Sequence, residues 1–315
     1  MDLKVSDIGE KGLIKEIISN SKNIIADDAA ISHITENKDL ISTCDMLIQS
    51  KHFPKEMSYY QMGFKSVTVN LSDLAAMGAE PFGFLLAIAI PKDLLFNDFK
   101  KIIRGVLDAC DLYDIPLIGG DTNESNEIII SGTAFGLNSR NSSIMKHGFS
   151  KGDLVCITGD IGLAALGFTL LENDNFNERS KAPIEKALFP KAKIKEGIIL
   201  KEIGATSLTD ITDGLASELY EILDNNSSNG IMIYEDKLNI SNDYKKITNY
   251  LDYILYVGED FELLFTIPPY KKPILENMMD FRVIGEINDS NKIEITLSNG
   301  DIEEISSKGY DHFVG

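Results

Sequence analysis

Residues 58–91 constrain the fold of this chain more than any other stretch. Tyr60, Phe64, Val67, Leu71, Leu74 and Gly78 recur at i, i+4, i+7, i+11, i+14 and i+18. That spacing predicts one long helix over 58–78 with an apolar stripe facing a core. Gly78 ends it and Pro81 prevents its resumption. An apolar run, FGFLLAIAIP, follows at 82–91. It predicts a buried strand over 83–90, stopped at Pro91, and is too short to cross a bilayer.

Around this unit, strand-like and helix-like segments alternate. Residues 40–48 (LISTCDMLI) and 127–137 (EIIISGTAFGL) read as strands, and 98–113 as a second helix. The stretch 138–152 is polar and contains Gly and Ser, which marks a boundary. Beyond it come strand 154–159, helix 162–172, a loop-like stretch at 173–183, strand 208–212 and a helix from about 214 to 224. Strands 230–234, 261–267, 281–287 and 292–297 complete the pattern. The expectation is a mixed α/β chain in two halves, 1–140 and 150–315. A length of 315 residues fits two domains of ~100–200 residues each.

Charge narrows the function. Lys and Arg number 30 against 49 Asp and Glu, a net charge of -19. No basic patch is visible, so nucleic acid is not an expected partner, nor is an anionic membrane surface. The three cysteines, Cys44, Cys110 and Cys156, are widely spaced and odd in number, without CxxC or zinc spacing. With no apolar segment near residue 1, they lead to the expectation of a reducing, cytoplasmic setting.

The aspartates carry the chemistry. Asp27 and Asp28 precede a turn. Asp45 interrupts an apolar strand, where an unpaired carboxylate is costly. Asp73 shares a helix face with Ser66, Asn70 and Met77, away from the apolar stripe. Asp121 follows IleGlyGly, expected at a strand end, and Asp210 and Asp213 flank a strand-to-helix turn. Singly, each has an ordinary explanation: Asp213 as a helix cap, Asp121 as a turn residue. Together, carboxylates at the ends of apolar elements are what a site for several magnesium ions needs, since magnesium takes oxygen ligands and bridges to phosphates. The Walker loop, the protein-kinase set, GxSxG and HExxH are all absent. The glycines of 159–167 suit a tight turn better than a phosphate cradle.

Taken in order, several segments resemble the thiamine-monophosphate kinase family. The longest is VNLSDLAAMGAEP at 69–81, followed by IGGDT (118–122), DITDGL (210–215), GEDFEL (258–263) and KGYDHF (308–313). The resemblance covers nearly the whole chain. It implies the two-domain fold of aminoimidazole ribonucleotide synthetase, with N-terminal sheets pairing into a barrel across a homodimer and ATP in a cleft there. It implies transfer of the ATP γ-phosphoryl group to thiamine monophosphate. By position it assigns metal contacts to Asp28, Thr43, Cys44, Asp45, Asp73, Asp121, Asp210 and Asp213. It assigns ATP contacts to Gly120, Asp121, Lys146 and Thr212, and the acceptor side to His52, Glu259 and Tyr310. Asp73 and Asp121 are the residues it makes most central to catalysis. Departures are Ala26 before the aspartate pair, Cys44 at a Thr position, Lys146 at an Arg position and Val257 at a Gly position. A thiol is a poor magnesium ligand, and Lys lacks the bidentate geometry of Arg. The superfamily's selenophosphate synthetases and hydrogenase-maturation enzymes use an early or C-terminal cysteine that this sequence does not present.

Overall fold

The structure is a computed structural model that describes residues 4–21, 24, 27–172, 180–224, 228–238, 244, 249–307 and 309. Two sheets organise it. The first contains β1 (Ala30–His33), β2 (Lys38–Ile48), β3 (Glu80–Ile90), β4 (Leu117–Glu124) and β5 (Ile129–Ser139), in the order β1-β2-β5-β3-β4. Only β3 and β4 run parallel, joined through the helix Phe96–Leu112, as a parallel pair requires. The second contains β6 (Leu154–Ile157), β7 (Ser207–Asp210), β8 (Gly230–Tyr234), β9 (Leu263–Ile267), β10 (Arg282–Asn288), β11 (Ile293–Thr296) and β12 (Ile302–Glu304). Its order is β12-β11-β8-β10-β6-β9-β7.

The predicted long helix runs Tyr59–Ala76 and begins in a capping box. The Gln61 N–H donates to Ser58 Oγ while Gln61 Oε1 accepts from the Ser58 N–H, satisfying two donors of the first turn. The helix packs on the first sheet beside Phe96–Leu112, and two glycines set the approach. A Cβ on Gly63 would stand 2.0 Å from the Ile102 carbonyl oxygen, and one on Gly105 only 1.9 Å from that of Tyr60. Its other side meets the helix Ile194–Ile203, where a Cβ on Gly197 would lie 2.2 Å from the Ala75 carbonyl oxygen. The helix is therefore enclosed on all sides. Every residue from Met62 to Ala76 is buried except Asp73, which is half-buried. The sequence predicts a single core-facing stripe; the second half of the chain covers the polar face as well. Ser66, Thr68 and Asn70 meet this by hydrogen bonding back to carbonyls one turn earlier.

Several expectations need correction. Asp121 is not at a strand end: it lies inside β4, opposite Ala87 of β3. β4 was expected only as a strand ending near Asp121, and β1, β12 and the helices Gly9–Asn20 and Ile194–Ile203 had no counterpart in the sequence. Residues 181–183 open the helix Lys181–Leu188 instead of continuing a loop, and 173–179 lie outside the described residues. β3 begins at Glu80, before the predicted start, and takes in Pro81 next to a register shift, a position strands allow for proline. Within the single chain the first sheet is open, not closed into a barrel. Among the described residues no helix is long and apolar enough to cross a membrane.

Candidate active site

The buried helix presents Asp73 toward the gap between the two halves. Thr43 of β2 donates its hydroxyl to Asp73 Oδ2. Two residues on, and so on the same face of β2, Asp45 donates its backbone N–H to Asn70 Oδ1 at 3.0 Å. From the other half, Asp210 at the end of β7 takes the Ser72 hydroxyl on Oδ2. Asp28, ahead of β1, accepts from Thr209 Oγ1 at 3.2 Å and pairs with Lys146 Nζ at 2.7 Å. Lys146 also bonds Glu221 Oε2 at 2.7 Å, and its backbone N–H donates to Asp27 Oδ2 at 3.1 Å. Asp213 precedes Gly214, whose φ of 105° few side chains tolerate, and its N–H donates to Glu218 Oε1 at 3.3 Å.

Burial without enough donors leaves these acids at odds with one another. Burial, with Asp210 and Asp27 nearby, pushes Asp28 up to about 8 against the pull of Lys146. Burial and Asp210 push Asp45 up to about 6. Asp213 rises to about 7 from burial, Glu221 and Glu10. Asp73 stands well above the carboxylate range because it is buried beside Asp45, Asp210 and Asp28. Asp210 is raised by burial, with Ser72 and Lys146 opposing. Glu218 is raised strongly by burial and then Glu221. Burial opposes the charge on Lys146, yet Asp28, Glu221 and Glu218 outweigh it and hold its ammonium well above the usual value. A cluster with more negative charge than its neighbours can offset favours cations.

A cavity of about 840 Å³ opens onto this cluster. Its walls include Asp45, Asp73, Thr212, Asp213, His52 and Glu259. The chain thus brings Asp45, Asp73 and Asp213 of the expected metal set, Thr212 of the nucleotide set, and His52 and Glu259 of the acceptor set to one space; Asp28, Thr43, Lys146 and Asp210 belong to the acid cluster without lining the cavity. Some candidates fall elsewhere. Gly120 and Asp121 line a separate hollow of about 230 Å³ on the open edge of the first sheet. Gly120 is held there by close approach, since a Cβ would meet the Leu86 carbonyl oxygen at 1.8 Å. Cys44 points to the opposite face of β2 from Thr43 and Asp45, exposed, with Sγ 3.5 Å from Ser131 Oγ. His52 Nδ1 accepts from the Ile48 N–H at 2.8 Å. Glu259 is engaged by Lys65, which the sequence reading did not include. Ala26 and Tyr310 lie outside the described residues. Sequence reasoning also missed Ser72, Glu218 and Glu221. The signal for the two glutamates was their spacing of one helical turn just after Asp213.

Whether magnesium suits this place follows from the donors. Asp28 Oδ2 is buried with no hydrogen-bond partner, and the side chains around it offer hard carboxylate and hydroxyl oxygens, the donors magnesium prefers. Among the described residues no three acidic, His or Cys groups already converge as a finished metal cage. Asp28, Asp73 and Asp210 instead hold Lys146, Thr43 and Ser72.

Two family models match this arrangement: residues 26–138 match the N-terminal domain of AIR synthase related proteins, and 150–298 the C-terminal domain. The chain belongs to the AIR synthase related family. Within it, the similarity is to thiamine-monophosphate kinases. One from Pyrococcus abyssi is 36% identical, covering 93% of this chain and 92% of its own. One from Buchnera aphidicola subsp. Schizaphis graminum is 37% identical, covering 92% of each. A solved structure, AaThiL complexed with AMPPCP and TMP, superposes with a TM-score of 0.88 at 29% identity and covers 99% of each chain.

Proposed function

We propose that this chain is a thiamine-monophosphate kinase, transferring the γ-phosphoryl group of ATP to thiamine monophosphate to give thiamine diphosphate and ADP. The observation that carries the reading is the meeting of carboxylates from both halves, Asp45 and Asp73 with Asp213, on the wall of one cavity. Near-full-length similarity to kinases of that name supports it. The acceptor oxygen belongs to a phosphate and is already anionic near neutral pH, so no general base is needed. The bond formed joins that oxygen to the γ-phosphorus, and the bond broken releases ADP. The obstacle is repulsion between two anionic groups, which positioning and charge neutralisation overcome.

Asp28, Asp45, Asp73, Asp210 and Asp213, with the Thr43 hydroxyl, would hold several magnesium ions. Bound there, magnesium supplies neutralisation of the phosphate charge. Lys146 lies beside Asp28, where its ammonium favours an anionic nucleotide, and Thr212 adds a hydroxyl on the cavity wall. His52 and Glu259 face the acceptor end; Tyr310 belongs to the same proposal. The halves 1–140 and 150–315 act as two domains in this reading, the first binding nucleotide and metal.

A homodimer whose first sheets complete a barrel belongs to the proposal. Its support is the open edge at β4 and an apolar sheet face that includes Met46, Phe82 and Ile118, all exposed in one chain. A second copy there would bring Gly120 and Asp121 into an enclosed site. Three free cysteines suit a cytoplasmic setting. The test is a discontinuous assay of the chain with ATP, magnesium and thiamine monophosphate, with thiamine diphosphate quantified by chromatography. Product dependent on all components is the expected result; ATP binding without product would overturn the reading.

A further inference from the structure

Lys65 is an unusual residue to find where it is. Its side chain is 0% exposed, although lysine is almost never fully buried unless paired. Its three ammonium protons have three acceptors: Glu259 Oε1 at 2.6 Å, Glu259 Oε2 at 2.7 Å and the His52 carbonyl oxygen at 2.9 Å. The Phe53 ring lies beside it, 6.0 Å from Nζ to centroid. Glu259 reaches this position from a left-handed backbone, φ 65°, rare outside glycine. Its N–H donates to the Thr212 carbonyl at 2.8 Å, and Gly258 packs so closely that a Cβ would be 1.7 Å from that same oxygen. The segment that carries Glu259 is thus stapled to the turn that carries Asp213.

Glu259 still faces the cavity, with 30% of its side chain exposed. So do Asp45, Asp73, Asp213, Glu10, Glu56 and Glu172, which outnumber the two lysines of the same lining, Lys51 and Lys55. An acceptor bearing a phosphate must enter this wall, and an uncompensated Glu259 would repel it.

We propose that Lys65 is a positioning residue for the acceptor: acting through Glu259 and the His52 carbonyl, it fixes that end of the cavity and cancels the glutamate's charge, so that an anionic phosphomonoester is admitted. This rests on the kinase reading for the identity of the acceptor. Lys65 is sealed from the cavity, so its influence passes through Glu259. The two residues should therefore be energetically coupled, whereas a core-filling lysine would act independently.

The experiment is a double-mutant cycle of wild type, Lys65→Met, Glu259→Gln and the double variant, with KM and kcat for thiamine monophosphate and for ATP. Lys65→Met is expected to raise KM for thiamine monophosphate by about tenfold or more and to move KM for ATP by less than about threefold. In the Glu259→Gln background the same substitution is expected to change acceptor KM by less than about twofold. A further tenfold rise there would overturn the proposal. So would an acceptor KM for Lys65→Met equal to that of wild type. Should Lys65→Met alone not fold, the comparison of Glu259→Gln with the double variant decides the matter, since replacing both partners of a buried ion pair is tolerated far better than removing one. A wild type that makes no thiamine diphosphate overturns the kinase reading instead. The coupling is then read from stabilisation by thiamine monophosphate in thermal unfolding, where additive effects would overturn the clamp.

Discussion

Asp28, Asp73 and Asp210 on one side, and Asp260 and Glu262 on the other, are all acids largely withdrawn from solvent, yet their surroundings differ in kind. Glu262 accepts from Thr158 Oγ1 at 2.7 Å, pairs with Lys193 Nζ at 3.2 Å and holds Lys186 as well. Asp260 takes the N–H groups of Gly162 at 2.7 Å and Ala164 at 3.3 Å, at the start of the helix Leu163–Glu172, where the helix dipole favours an anion. Around the first group, cations are few. Lys146 serves Asp28 and Glu221 at once, Asp73 and Asp210 each hold a hydroxyl, and one oxygen of Asp28 has no partner. Burial is common to both groups; internal compensation is not. Deficient compensation marks the site, because the missing charge must arrive with a ligand.

The contrast predicts effects of opposite sign. Asp73→Asn should lower turnover by about a hundred- to a thousandfold while leaving the unfolding midpoint of metal-free protein unchanged or raised, because one of several mutually repelling carboxylates is gone. Steady-state kinetics beside thermal unfolding in chelator tests both halves; turnover within a few-fold of wild type would break the comparison. Asp121→Asn on the open strand should also lose turnover, with unfolding free energy shifted by less than about 0.5 kcal/mol. Glu262→Gln should do the reverse. It takes a buried carboxylate away from two half-buried lysine ammoniums and should cost about 3 kcal/mol in urea unfolding, with kcat held within about threefold.

The pH dependence gives a smaller effect. Folding raises Asp45 to about 6, Asp213 to about 7 and Asp28 to about 8 from an ordinary 3.8. The folded state therefore keeps protons that the unfolded state releases. The stabilisation is full below about pH 4 and is lost as pH rises through 6 to 8. The melting temperature of chelated protein should fall across that window, and millimolar magnesium should flatten the fall. Burial also raises Asp260, to about 7, despite Gly162, Lys186 and Ala164. Its share of the slope should survive magnesium and vanish in Asp260→Asn. A slope abolished entirely by the metal would show that the two groups are not distinct.

How much of this was legible in the sequence depended on how local the cause was. The helix Tyr59–Ala76 declared itself through its own spacing, and Asp45 through its misfit in an apolar strand. β4 showed only as a strand end before Asp121, because LIGGDTNE on an exposed sheet edge has no apolar alternation and two glycines at its centre. Lys65 carries no signal in its own neighbourhood; its partner Glu259 is 194 positions further on. The same distance hid the pairing of Ser72 with Asp210, 138 positions apart. Individual acids could be named from their neighbours, but which of them lacked compensation is a property of the assembled cavity.

The enclosure of the helix Tyr59–Ala76 has a metric consequence. Lys65 and Asp73 stand eight residues apart on it, about 12 Å along the axis at 1.5 Å per residue. In the proposed reading one residue addresses the acceptor and the other the metal. Because both are fastened to the same rod, and that rod is gripped by glycine contacts at Gly63 and Gly197, the spacing between the two ends works as a gauge. A rearrangement of the loops around the cavity would leave that interval unchanged.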